Sequence, residues 1–161
     1  MKTIWKILDK MIDTLLAIGI LGIVLMCLAE IIARNLLKFS IAWSGEAARY
    51  LFVFVVFIGA SALTRDRDFI CMDLLKDKIR TDIQYYYNLA LDIILLLFAI
   101  ILIYSGYGMV QANAMQVSAA MGLPKSVIYG VMPISGCLIS IYDLRNILKD
   151  TKNKFVKGEE K

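Results

Sequence analysis

The 161-residue sequence has no histidine, three cysteines and two prolines. Without histidine the chain has no Ser-His-Asp or Cys-His nucleophile, no HExxH zinc helix and no imidazole proton shuttle. Cys27, Cys71 and Cys137 form no CxxC pair, and a GxxxxGK[ST] phosphate loop is missing. These absences argue against a redox enzyme or an ATPase. We therefore expect no catalytic residue, no cofactor, no metal site and no nucleic-acid partner.

The sequence also has long stretches without a charged residue. Hydrophobic residues make up 60% of the chain and the mean hydropathy is +0.70, whereas ordinary soluble domains are about 45–50% apolar. Four charge-free stretches, 14–29, 50–64, 93–124 and 126–142, each reach the roughly 20 residues that cross a bilayer core once one flanking helical turn is included. We predict an all-α, polytopic membrane protein of one domain, with spans at about 11–36, 46–64, 86–110 and 125–146 and a tail at 147–161.

The 18 lysines and arginines are distributed unevenly between the connections. Three precede the first span, five lie between the second and third spans, and six follow the fourth, while each of the other two connections has one. Loops rich in lysine and arginine stay on the cytoplasmic side of a membrane. The count predicts that both termini and the middle loop of this multi-pass protein lie in the cytoplasm.

The middle loop has a helical pattern of its own at about 70–84. Apolar residues recur there at steps of three and four, and basic residues fall on the opposite side; the residues concerned are Met72, Leu75, Lys76, Ile79, Arg80, Ile83 and Tyr86. This pattern predicts an amphipathic helix lying on the cytoplasmic membrane surface, where its lysines and arginines contact anionic lipid headgroups. An ordinary connecting helix packed on protein is the alternative.

Residues 111–123 are polar but almost uncharged and follow a stretch that is too long to remain within the membrane. A helix over residues 93–124 would be about 48 Å long, well beyond the hydrocarbon thickness. The sequence leaves open whether this outer connection is a helical extension, a shallow loop or a partner surface.

Four charged residues lie near the outer ends of the first two spans. Glu30 and Arg34 are four residues apart, and Glu46 and Arg49 are three apart, just after Trp43 at the predicted interface. An ionised side chain near the bilayer centre costs about 2.5–3.5 kcal/mol on the insertion scale, so each needs an explanation. We favour an ionic clamp between antiparallel neighbouring helices; a partner-docking patch and an ion or substrate site are the alternatives.

Two further residues inside the spans have structural interpretations. Asp92 lies within two turns of the cytoplasmic end and can reach the surface or pair with Arg65, Arg67 or Arg80. Pro133 removes a backbone hydrogen bond within the fourth span and predicts a fixed kink there.

Several of these residues also match the motifs of a known family. The segment from Trp43 to Tyr50, with its Trp-x-x-Glu-x-x-Arg-Tyr spacing, and the Gly-Ala step at 59–60 resemble the second helix of the small membrane subunit of TRAP (tripartite ATP-independent periplasmic) transporters. Arg34, the ICMDLL segment at 70–75 and the Gly-Leu-Pro segment at 122–124 resemble further motifs of that subunit. Phe69 departs from the pattern, because the family usually has histidine there.

The resemblance implies a non-catalytic scaffold subunit in a bacterial or archaeal inner membrane. It implies a large multi-span subunit and a periplasmic substrate-binding protein as partners, and a sodium gradient as the driving force. It implies organic acids as substrates, such as C4-dicarboxylates or sialic acids. Two alternatives are a self-sufficient four-helix exporter that uses Glu30, and an assembly subunit of another membrane complex. The one-sided charge distribution argues against the exporter, since small exporters often assemble in opposite orientations.

Overall fold

The computed structural model describes the backbone of residues 2–36, 38, 43–67 and 81–159, and the side chains within 5–36, 38, 43–67 and 87–151. It contains five helices in these ranges: α1 (Lys2–Leu36), α2 (Ser44–Asp66), α3 (Thr81–Ala112), α4 (Lys125–Tyr129) and α5 (Val131–Glu159). Four segments are long and apolar enough to cross a membrane, namely Trp5–Leu36, Ser44–Asp66, Tyr87–Ala112 and Lys125–Thr151. The predicted all-α fold with four spans is therefore confirmed.

The predicted interfacial helix lies largely outside the described residues. Met72, Leu75, Lys76, Ile79 and Arg80 are not among them. Ile83 and Tyr86 belong to the first turns of α3, where only the backbone is described. The surface helix therefore stays a prediction. At the other end of the chain, the predicted tail continues α5 without a break as far as Glu159.

The long helices pack side by side in the order α1, α2, α5, α3. The extensive contacts join α1 to α2, α2 to α5, and α5 to α3, and the described helices show no comparable contact between α1 and α3. The chain therefore forms an open row, with α1 and α3 at its two edges. Both edge helices expose many large apolar side chains, as expected of surfaces that contact lipid or another membrane protein.

Small residues allow the helices of the row to approach closely. A Cβ atom placed on Gly106 of α3 would lie 2.6 Å from Pro133 Cδ on α5, and one placed on Gly136 would lie 3.0 Å from the carbonyl oxygen of Ala99. A Cβ atom on Gly19 of α1 would lie 2.6 Å from Val55 Cγ2 on α2. Membrane helices associate through this kind of backbone proximity, because hydrophobic burial does not distinguish protein from lipid.

The fourth span is divided at Gly130, between α4 and α5. Pro133 lies three residues later, in the first turn of α5. The N–H groups of a first turn have no acceptor within their own helix, so the N–H group that proline lacks costs no hydrogen bond within α5. A proline ring clashes with the carbonyl group four residues earlier, which here belongs to Tyr129, the last residue of α4. The interruption therefore lies where this proline disfavours a continuous helix.

The connection between α3 and α4 is a loop closed by its own backbone hydrogen bonds. The N–H of Ser118 donates to the carbonyl of Leu123 (2.8 Å), and that of Lys125 donates to the carbonyl of Gln116 (2.9 Å). Gly122 has a φ of +67°, which glycine adopts without strain, and this closes the turn. Of the three possibilities left by the sequence, the structure shows a loop rather than an extension of α3.

Candidate functional site

The bundle has two polar ends. We call the end with residues Glu30, Glu46 and Ala120 the distal end, and the end with Asp9, Arg67 and Asp150 the proximal end. The charged cluster predicted from the sequence, with Glu30 and Glu46, lies at the distal end.

At the distal end, Glu46 in the first turns of α2 holds the α3–α4 loop. Its Oε2 atom accepts hydrogen bonds from the backbone N–H groups of Ala120 (3.0 Å) and Met121 (3.2 Å). Its Oε1 atom accepts one from the Tyr50 hydroxyl, one turn along the helix (2.7 Å). A carboxylate that accepts several hydrogen bonds fixes the positions of its donors, so Glu46 anchors the loop to α2.

The Glu30 carboxylate lies against the beginning of the neighbouring helix. A Cβ atom placed on Gly45 would lie 3.7 Å from Glu30 Oε2. The first turn of a helix carries partial positive charge and favours a nearby anion. The close approach of α1 and α2 at this end therefore involves a carboxylate and a helix N-terminus.

The predicted arginine partners of these carboxylates are placed differently. Arg34 and Arg49 are exposed, and none of the salt bridges among the described side chains involves Glu30, Arg34, Glu46 or Arg49. Trp43, just before α2, is 47% exposed. The structure brings Glu46 to two backbone N–H groups and Glu30 to the beginning of α2, and the described side chains show no ion pair between these carboxylates and the two arginines. The ionic clamp and the partner interface both stay predictions.

The proximal end contains a larger network. Arg67, directly after α2, bridges two helices: its Nη2 atom lies 3.1 Å from Asp92 Oδ2 on α3, and its Nη1 atom donates to Asp150 on α5. The side chain of Asn146 on α5 donates to the carbonyl of Thr64 on α2 (2.8 Å). The pairing of Asp92 with Arg67, one of three expected possibilities, is thus confirmed.

Helix α1 joins this network through Asp9. The Tyr142 hydroxyl donates to Asp9 Oδ1 (2.8 Å), and the ring of Tyr142 lies 5.9 Å from that of Trp5. The guanidinium of Arg145 lies 4.5 Å above the Trp5 ring, a cation–π contact. Nearby, Arg65 forms a salt bridge with Asp13 (2.9 Å).

The sequence analysis assigned no partners to Asp9 and Asp13. One signal was available: Asp143 and Arg145 stand at the end of a predicted span, at the same membrane level as Asp9 and Arg65 if the helices alternate in direction. Such residues are expected to pair with one another across helices.

We also searched both ends for groups of side chains that could hold a metal ion. In the described part of the chain, no group of three or more His, Cys, Asp or Glu residues is arranged to hold a metal ion.

An open groove of about 600 Å³ lies between α1 and α2. Its lining is apolar and is formed in part by Leu16, Val55 and Gly59, and Arg65 lies at its proximal end.

Comparison with known proteins identifies the family. The family of tripartite ATP-independent periplasmic transporters, DctQ component, matches residues 23–153. The chain belongs to the DctQ family. This confirms the resemblance to the small subunit of TRAP transporters. A DctQ protein is a transporter component, so the prediction that the chain is not an enzyme is also confirmed.

One curated relative of this DctQ chain is longer. The sialic acid TRAP transporter permease protein SiaT of Haemophilus influenzae (strain 86-028NP) is 25% identical over 132 residues, which cover 82% of this chain and 21% of that protein. The chain therefore spans about a fifth of the length of the relative that it matches.

Proposed function

We propose that this chain is the scaffold for the large translocating subunit of a TRAP transporter. The observation that carries the proposal is the match to about a fifth of the permease protein SiaT. In that relative, roughly four-fifths of the polypeptide lies outside the region similar to this chain. We infer that this chain works together with a large multi-span membrane subunit, and that a periplasmic substrate-binding protein delivers the substrate.

The arrangement of the helices supports a role other than translocation. Transporters that move a solute themselves place the site near the bilayer midplane, on helices broken at that depth. In the described helices, the one division of a span is at Gly130, close to the distal end. An open row of long helices with apolar edges is suited to standing against a larger membrane protein.

The same proposal includes the substrate class and the driving force. The relative SiaT is named as a sialic acid transporter, and sialic acid is a carboxylic acid. We propose an organic acid as the substrate, either a sialic acid or another carboxylate such as a C4-dicarboxylate, and a sodium gradient as the energy source. The substrate does not contact this chain during transport.

The distribution of basic residues supports an orientation. We propose that the proximal end faces the cytoplasm of a bacterial or archaeal cell, with both termini on that side of the inner membrane. The distal end then faces the periplasm. There, Arg34, Arg49 and Trp43 form an exposed surface that we propose as the contact with the large subunit, where the arginines meet acidic side chains.

Reconstitution into vesicles tests the proposal. We expect no uptake of sialic acid or a C4-dicarboxylate under an inward sodium gradient by this chain alone, and uptake when the large subunit and binding protein are added. We also expect the large subunit to co-purify with the chain. Sodium-driven uptake by the chain alone would contradict the scaffold role and favour the exporter that uses Glu30. Co-purification of an unrelated complex would favour an assembly subunit.

A further inference from the structure

Asp143 on α5 is the most deeply buried acidic residue at the proximal end. Its relative exposure is 0%, and both of its carboxylate oxygens lack a hydrogen-bond donor in the structure. Buried polar side chains are nearly always hydrogen-bonded, so a carboxyl group with two unpartnered oxygens requires a ligand or a change of charge.

The positive charges near Asp143 are engaged elsewhere. The charged groups that act on it most are Asp92 on α3 and Arg67 at the end of α2. Arg67 already bridges Asp92 and Asp150. One guanidinium thus stands among three carboxyl groups.

Three further charged groups on the neighbouring elements have partners of their own. Asp9 on α1 accepts a hydrogen bond from Tyr142, and Arg145 on α5 lies over Trp5. Arg65 on α2 is paired with Asp13 and Asp66. None of these cations forms a salt bridge with Asp143 within residues 5–36, 43–67 and 87–151.

An ionised carboxylate in this position would be costly. Transfer of an unpaired charge from water into a protein interior is so unfavourable that the group takes up a proton and becomes neutral. A neutral carboxyl group also removes the repulsion from Asp92, whose own charge is compensated by Arg67.

We propose that Asp143 is a proton-binding site. Its carboxyl group is held neutral between α2, α3 and α5, and ionisation of this group loosens the proximal end. When Asp143 ionises, its O–H bond breaks, the electron pair stays on the carboxylate, and the proton passes to water. Arg67 then faces three negative charges. It is drawn toward Asp143 and away from Asp150, which weakens its link to the extension of α5.

Infrared spectroscopy of the purified full-length chain tests the protonation directly. We expect the carbonyl stretch of a protonated carboxylic acid at neutral pH, with the shift that deuterium exchange produces. The band should disappear in Asp143→Asn and remain in Asp150→Asn, a matched change of an acidic residue on the same helix. If Asp143→Asn does not fold, Asp143→Leu replaces it in the experiment. Leucine also lacks the carboxyl group, and its side chain needs no hydrogen-bond donor.

Thermal unfolding as a function of pH tests the consequence. Unfolding exposes Asp143 to water, where it loses its proton at neutral pH, so the stability of the wild-type chain should fall as the pH rises. The fall begins above the pKa of an exposed aspartate, about 4, and is complete once Asp143 ionises in the folded chain. We therefore expect a fall in Tm of several degrees from mildly acidic to neutral pH in the wild type and in Asp150→Asn, and a flatter profile in Asp143→Asn.

Two results would overturn the proposal. The first is the absence of an acid carbonyl band from the wild-type spectrum at neutral pH, which would mean that Asp143 is ionised and solvated by water. The second is a Tm that depends on sodium chloride but not on choline chloride and loses that dependence in Asp143→Asn, which would identify a sodium site instead.

Discussion

Glu46 contacts backbone groups instead of the arginine that its spacing suggested. It and Arg49 lie three positions apart on one helix, and a sequence pattern of opposite charges at this spacing indicates an ion pair. In the folded chain, the N–H groups of Ala120 and Met121, which lie 74 and 75 residues later in the sequence, approach Glu46 from the α3–α4 loop. Such a distant partner has no signal in a single sequence, because any backbone N–H group can donate.

We therefore expect Glu46→Gln to loosen the α3–α4 loop. The change removes a negative charge that two backbone N–H groups and the Tyr50 hydroxyl share, and hydrogen bonds to a charged acceptor are stronger than those to a neutral one. Amide hydrogen exchange should become faster at Ala120 and Met121, and the Tm of the purified chain should fall.

Arg49→Gln is the matched control, since Arg49 is exposed and forms none of the salt bridges found among the described residues. It should leave loop exchange unchanged. The double variant should equal the sum of the two single changes. A double variant that restores the stability lost in Glu46→Gln would instead demonstrate coupling between the two side chains, as in an ionic clamp.

The contact between α3 and α5 depends on a glycine. We expect Gly106→Ala to lower the free energy of unfolding by about 1–3 kcal/mol, the usual cost of overpacking. The added Cβ would lie 2.6 Å from Pro133 Cδ and 2.9 Å from the Pro133 nitrogen, so the helices must separate. Thermal unfolding of the purified chain measures the effect.

Gly108, two residues along the same helix, provides the control for this change. A Cβ atom there meets nothing within 4 Å, so Gly108→Ala should be neutral or slightly stabilising, since alanine has the higher helix propensity. Equal losses in the two variants would show that helix propensity rather than the approach to Pro133 determines the result.

Arg67 connects three helices, and its removal should be more harmful than removal of Arg65. Asp92 has a side-chain exposure of 5%, whereas the Arg65 partners Asp13 and Asp66 are 56% and 49% exposed. A carboxylate left unpaired in the interior costs about 3–5 kcal/mol if fully desolvated, whereas a pair with an exposed member contributes about 1 kcal/mol or less.

We expect Arg67→Gln to lower the Tm of the chain markedly and Arg65→Gln to lower it slightly. Asp92→Asn in the Arg67→Gln background should recover part of the loss, because it removes the uncompensated charge. Similar Tm values for the two arginine variants would show that water or lipid headgroups stabilise the charge of Asp92 as effectively as Arg67 does.

The helices were far easier to predict than their polar contacts. Charge-free stretches of membrane length specify spans directly, because the bilayer core excludes unpaired charge over a fixed thickness. The link between Asp92 and Arg67 was foreseen as one of three options, since both lie near one end of neighbouring spans. The hydrogen bond between Asp9 and Tyr142 was not foreseen, because it depends on which helices are neighbours. The spatial order α1, α2, α5, α3 differs from the order of the helices along the chain.

The orientation of the whole molecule can be tested by cysteine labelling. With Cys27, Cys71 and Cys137 replaced, single cysteines near Lys78 and Lys154 should be protected from an impermeant reagent added outside the cell. Cysteines near Phe39 and Ser118 should be labelled. Fourteen of the 18 basic residues lie on the protected side, and reversing this arrangement would move lysine and arginine loops across the membrane.

Disruption of the membrane is the control, after which all four positions should react equally. Labelling near Lys78 from the outside of intact cells would contradict the orientation, and the proximal network would then face the periplasm.

The open row of helices has a geometric consequence for transport. A route for a polar solute must be enclosed around its full circumference, since a gap on any side admits lipid. The described helices end laterally at α1 and α3, which do not close on each other, so these helices form at most one wall of any such route. Under the proposed scaffold role, substitutions along the two edges should alter how firmly this wall binds the large subunit and should leave the choice of solute unchanged.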